Sequence, residues 1–121
     1  MEARYSQRVS VECGVVFAGD HTIGEGRTLD LSLPGCLLQS ATPLIAGDYV
    51  QLRLFLPDFE TPLHVPLAAV RWVDGSRVGV EFIRTSQEEQ RRLKQFVQQR
   101  MRRNATATWT EGLAVIDGMQ S

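Results

Sequence analysis

The sequence predicts a mainly β domain, a six-stranded antiparallel β-barrel followed by one C-terminal α-helix. Three observations lead there. Short apolar runs with a period of two recur up to Phe82, an Asp74-Gly75 dipeptide sits between two of them, and the period turns helical after Ser86.

The first run is Val9, Val11, Cys13, Val15 and Phe17, alternating with Ser10, Glu12, Gly14 and Val16, as expected of a strand with one face buried. Ala18 to Gly26 reads as a turn or wide loop. A second strand covers about Arg27 to Leu31, Pro34-Gly35 interrupts, and Cys36 to Gln39 resumes as a third. After a turn at Ala46-Gly47-Asp48, Val50, Leu52, Leu54 and Leu56 alternate until Pro57-Asp58 ends the strand. Ala68, Val70 and Trp72 mark the fifth strand, so Trp72 is expected in the core. Asp74-Gly75, both with positive φ, then turns the chain into Val78, Val80 and Phe82.

Ser86-Gln87-Glu88-Glu89 is a capping box, with Ser86 accepting from a free N–H and Glu89 reaching back. Leu93, Phe96, Val97 and Met101 form the apolar stripe of a helix over about 86–103. Arg100, Arg102 and Arg103 sit at its expected C-terminal end, where the helix dipole favours cations. Residues 104–121 form a tail whose Trp109 and Leu113-Ala114-Val115-Ile116 predict a short strand or turn packed on the barrel or on a partner.

The chain has 121 residues, enough for one domain, and 43% of them are apolar. A formal net charge of −1 argues against a basic fold that binds nucleic acid nonspecifically. No apolar run is long enough to span a bilayer, and Met1-Glu2-Ala3-Arg4 opens no signal peptide, so a natural start and a cytoplasmic location are expected. Cys13 and Cys36 match no metal spacing and read as small buried hydrophobes in a reducing compartment. His21 and His64 have no partner nearby in sequence, and there is no paired-carboxylate motif, phosphate loop or zinc spacing. No enzyme, metal or cofactor is expected.

Two constellations remain. Arg4-Tyr5-Ser6-Gln7-Arg8 holds two arginines just before the first strand, and Asp30-Leu31-Ser32-Leu33-Pro34-Gly35 ends the second. Each has an ordinary reading: solvated arginines near a terminus, and turn chemistry in which Asp and Ser bond local backbone. In this order, with Trp72, then Val78-Gly79-Val80-Glu81-Phe82 and Ser86-Gln87-Glu88-Glu89, they resemble the PilZ family from Arg4 to about Arg103.

The resemblance implies a split six-stranded barrel over 1–103, with a ligand-binding arm at 1–8, that binds cyclic di-GMP on its outer surface. Arg4 and Arg8 match the family's arginine pair, and Asp30, Ser32 and Gly35 its acidic motif. A guanidinium suits guanine N7 and O6, stacks on purines and pairs with phosphate. Asp30 suits the guanine N1–H and N2–H₂ donors, Ser32 can donate to phosphate or bridge to a base, and Gly35 allows close approach or a left-handed turn. Tyr5, Gln7, Arg27, Arg71 and Arg77 are further candidate contacts. Ala3 stands where some members carry an arginine favouring a stacked ligand pair, which leans towards one ligand.

A stand-alone receptor, a monomer or weak homodimer, would signal to a partner protein by folding its N-terminal arm over the ligand. Two alternatives stay open: a nucleotide-independent adaptor of a motility or pilus system, and a small barrel for single-stranded nucleic acid. Against the latter stand the slightly acidic charge and an aromatic content of 7%.

Overall fold

The computed structural model of the chain describes residues 7–117, with side chains through Arg103. The elements are β1 (Val9–Ser10), β2 (Gly14–Gly19), β3 (Ile23–Leu31), β4 (Gly35–Ser40), β5 (Tyr49–Leu54), β6 (Leu63–Asp74), β7 (Arg77–Arg84) and α1 (Gln87–Asp117). Antiparallel pairing runs β3–β2–β5–β6–β7–β4 and returns from β4 to β3, closing a six-stranded barrel. β1 is an extra strand on the C-terminal end of β3, with Val9 opposite Leu31 and Ser10 opposite Asp30. Closure leaves no unpaired edge among the six, so the barrel's outer face is what remains for a ligand.

Alternation places the core as the sequence predicts. Val15 and Phe17, Leu52 and Leu54, and Val78 and Val80 point inward and are buried. Each such side chain contributes about 1.5–3 kcal/mol by leaving water. Leu93, Phe96 and Val97 bury the apolar stripe of α1 in the same core, against β6 and β1.

The first predicted strand is two. Val9, Val11, Cys13, Val15 and Phe17 all stay buried, but the ladder breaks between Ser10 and Gly14. Thr28 of β3 fills the break: its fully buried hydroxyl donates to Val11 O at 2.7 Å and accepts from Cys13 N at 3.2 Å.

β3 begins at Ile23, inside the stretch read as a loop, because the Gly19 N–H bonds Thr22 O at 2.7 Å and closes a tight turn. Gly24 and Gly26, which look like loop residues in sequence, sit where Thr42 and the Gln39 carbonyl come too close for a side chain. β6 is longer than predicted and runs through Pro66, which the sheet tolerates because it falls inside the register shift towards β5, where Val50 opposes Ala68 and Leu52 opposes Val65, and ahead of the β7 ladder, which starts at Leu67.

The β6–β7 hairpin turns on Gly75-Ser76, one residue later than expected, with Asp74 paired to Arg77. Gly75 has φ 64° and Ser76 has no positive φ, which fits a turn with glycine at its first central position.

Ser86 caps α1 by accepting from Glu89 N at 3.1 Å. Glu89 does not reach back to Ser86 as predicted. Its carboxylate accepts from His64 N at 3.2 Å and Arg92 at 2.6 Å, and Arg92 also donates to Thr61 O at 2.7 Å, latching the helix to the chain entering β6. The helix passes residue 103 and continues to Asp117, so the segment expected as a strand or turn is helical over 104–117. No proline interrupts it, and Ala105, Ala107, Glu111, Leu113 and Ala114 are good helix formers. Arg100, Arg102 and Arg103 therefore lie in mid-helix, away from the dipole's end, and Arg100 sits 5.4 Å from the centre of the Phe96 ring.

Candidate functional site

The outer face carries a register that the motif alone does not reveal. Asp30 of β3 stands opposite Leu37 of β4, Leu37 opposite Gly79 of β7, and Gly79 opposite Trp72 of β6. This row crosses four strands and floors a groove of about 680 Å³, within the usual range of small-molecule sites. Asp30 and Arg8 line one end, and Arg71, Trp72 and Glu81 line the other.

Trp72 is not in the core: it is 46% exposed. The cause is a bulge. Val70 pairs with Val80 and Trp72 with Gly79, so Arg71 is an extra residue on β6. A bulge re-aims the side chains that follow it, and the inward alternation Ala68, Val70 stops there. The indole lies over Gly79, where an added Cβ would fall on Trp72 Nε1. The bulge left no mark in the sequence. Gly79 inside a Val-Gly-Val strand was the available signal, since glycine there often marks a close approach.

Arg8 and Asp30 come together across 22 residues of sequence, Arg8 Nη1 donating to Asp30 Oδ1 at 3.1 Å. Their side chains are 55% and 25% exposed, and exposed pairs of this kind stabilise a fold by only about 0–1 kcal/mol. A ligand can therefore displace the pair at little cost.

Ser32 is buried, and its hydroxyl donates to Gly35 O at 3.0 Å while its N–H donates to the same oxygen at 2.8 Å. Here it holds the loop between β3 and β4 rather than presenting its proton outward. Gly35 has no positive φ; it is needed for close approach, because an added Cβ would collide with Val80 O. Of its two possible roles at the sequence level, close approach is the one found.

Arg71 reaches the groove, whereas Gln7, Arg27 and Arg77 do not line it. Arg27 is paired with Glu12 at 3.2 Å on the outer surface, and Arg77 stands opposite Asp74 at the hairpin end. Arg4 and Tyr5 lie outside the described residues.

Cys36 lies under the groove and Cys13 beside Thr28; both are buried, free thiols. Burial pushes both above the ordinary thiol value of 9.0, Cys36 well above it, which makes them poor nucleophiles. A second hollow of about 430 Å³, near His21, Asp48 and Tyr49, is lined by no arginine or lysine among the described residues. Among the described residues no helix is long and apolar enough to cross a membrane.

A family model described as PilZ domain matches residues 2–99. Three solved structures resemble the fold. The PilZ domain of CeSA from a cellulose-synthesizing bacterium is 20% identical, with TM-score 0.60 over 76% of this chain and 95% of that one. The PilZ domain of Escherichia coli YcgR with c-di-GMP is 18% identical, with TM-score 0.63 over 85% and 95%. The Bacillus subtilis inhibitor of motility MotI/DgrA is 17% identical, with TM-score 0.65 over 84% of this chain and 51% of that one. Comparison with curated protein sequences returned no match.

Proposed function

The chain belongs to the PilZ domain family, and from that premise we propose that it is a non-catalytic receptor that binds cyclic di-GMP in the outer groove and signals to a partner protein. The observation that carries this is the meeting of Arg8 and Asp30 beside a floor of Leu37, Gly79 and Trp72. The ligand has two guanines and two phosphates. Arg8 offers a fork for guanine N7 and O6 or for a phosphate, and Asp30 offers an acceptor for guanine N1–H and N2–H₂. Asp30 would repel phosphate, so its partner is a base edge. Leu37 and the exposed indole of Trp72 give a base an apolar surface to lie on.

Within the acidic motif, Ser32 and Gly35 serve shape: one ties the β3–β4 loop, and the other lets β4 approach β7. Arg4 completes the arginine pair from the N-terminal arm, which closes over the ligand and thereby becomes the signal. Hydrogen exchange across residues 1–9 reads that step directly: protection should rise with saturating ligand, and unchanged exchange would remove the arm from the mechanism.

The nucleic-acid alternative is disfavoured because, among the described residues, Trp72 is the single aromatic lining the groove, where a strand-tracking surface needs successive rings. No observation favours a nucleotide-free adaptor.

The decisive experiment is isothermal titration of cyclic di-GMP into the wild type and Arg8→Ala, with GMP and cyclic GMP as controls. Losing one charge-assisted contact should cost on the order of 2 kcal/mol, roughly a thirtyfold weakening. A folded wild type that does not bind would overturn the receptor reading.

A further inference from the structure

An ion pair outside the motif stands at the far end of the groove. Arg71 Nε donates to Glu81 Oε1 at 2.6 Å, and the two side chains are 53% and 47% exposed. Both line the groove. Arg71 is there because the bulge inserts it between Val70 and Trp72, and Glu81 because β7 places it next to Gly35 of β4 and Ala69 of β6. Three inter-strand steps, roughly 14 Å, separate Asp30 from Trp72, and two steps separate the strand of Asp30 from that of Glu81, so this pair stands across the groove from the Arg8–Asp30 pair.

The geometry of the contact is informative. Glu81 takes only the Nε–H of Arg71, and neither terminal nitrogen of that guanidinium has a hydrogen-bond partner among the described residues. A guanidinium held by Nε keeps its orientation while its end-on fork stays open. That fork matches guanine N7 and O6, or two oxygens of one phosphate, bidentately. Beside it the Trp72 indole covers Gly79.

We infer that Glu81 is a positioning residue, which pre-orients Arg71 so that its terminal edge takes the half of the ligand that Arg8 and Asp30 do not reach. This rests on the reading of the groove as a cyclic di-GMP site. The role belongs to the acceptor oxygen rather than to the negative charge. An unpaired carboxylate would only repel a ligand that carries two phosphates.

The acceptor and the charge can be separated by substitution. Glu81→Gln keeps an oxygen for the Arg71 Nε–H and removes the charge, whereas Glu81→Ala removes both. Freeing an arginine side chain that must then be re-ordered on binding should weaken affinity about two- to tenfold. Titration with cyclic di-GMP should therefore show Glu81→Ala weakened by that factor and Glu81→Gln as tight as the wild type or tighter. In an Arg71→Ala background, which is itself weakened, Glu81→Ala should cost nothing more.

The inference is overturned if Glu81→Ala binds as well as or better than the wild type, if Gln and Ala weaken binding equally, or if the Ala penalty persists without Arg71. These outcomes require a wild type that binds and an Arg8→Ala variant that binds more weakly, as expected above. Loss of binding by the wild type itself would instead bring down the receptor reading.

Discussion

Alanine at Gly35 and alanine at Gly79 add the same methyl group to neighbouring strands, yet the structure requires different outcomes. At Gly35 the new Cβ would meet the carbonyl oxygen of Val80, with the Val80 carbonyl carbon and Glu81 Cα close behind. All three are backbone atoms held in the β4–β7 ladder, where Gly35 opposes Glu81. The strands must part, as in overpacking of a core, which costs about 1–3 kcal/mol. At roughly 4 °C of melting temperature per kcal/mol for a domain of this size, Gly35→Ala should melt about 4–12 °C below the wild type.

At Gly79 the new Cβ falls only on the Trp72 indole. That side chain is 46% exposed and free to rotate outward. Alanine also regains about 0.5–1 kcal/mol over glycine in a strand, offsetting what little is lost. The Gly79→Ala melting temperature should therefore stay within about 4 °C of the wild type. Binding should suffer instead, because a base stacked on the displaced ring loses about 1–3 kcal/mol, roughly five- to 150-fold in affinity. Thermal denaturation followed by circular dichroism, together with titration of cyclic di-GMP, reads both quantities. The reasoning is refuted if Gly79→Ala melts as low as Gly35→Ala, or if it binds with undiminished affinity.

Two further outcomes concern the core. Thr28→Val keeps the shape of a fully buried side chain but leaves Val11 O and Cys13 N without the hydroxyl that joins them; urea unfolding should show a loss of about 1–3 kcal/mol, and an unchanged midpoint would contradict the bridging role. Burial raises the Cys36 thiol above its ordinary value of 9.0, so the folded state holds its proton after the unfolded state has lost it. Stability is then intact below pH 9 and falls as pH rises beyond it, by about 1.4 kcal/mol at pH 10 for this one thiol. Urea midpoints at pH 8 and pH 10 should fall further in the wild type than in Cys36→Ala, and equal falls would refute the assignment.

Period-two alternation was enough to recover the barrel strands and their inward faces, since Val50, Leu52 and Leu54 leave only one face that can be buried. What escaped were the places where the ladder departs from regularity. A hydroxyl substituting for backbone partners at Thr28, a proline absorbed inside a register shift and an extra residue at Arg71 all depend on a neighbouring strand far away in sequence. The helix end was missed for a different reason: Asn104 follows a run of arginines that looks like a terminus, but nothing after it forces the chain out of α geometry until Asp117.

Of the candidate site, the sequence marks residues but not how their side chains are used. Arg8 and Asp30, read from the sequence as separate ligand contacts, form an ion pair with each other. Ser32 and Gly35, equally prominent in the motif, also border the groove, but the Ser32 hydroxyl is bonded within the β3–β4 loop and Gly35 sets the spacing of β4 and β7. The four motif positions among the described residues thus divide into groups whose side chains are open to the groove and groups that shape it. The division has a physical consequence. Changes at the facing groups should alter affinity while leaving the barrel intact, because exposed ion pairs stabilise it little. Changes at the shaping groups should lower affinity only through the fold. Trp72 and Arg71 belong with the facing groups although no motif names them, because a single inserted residue in β6 turns both onto the surface that Asp30 borders.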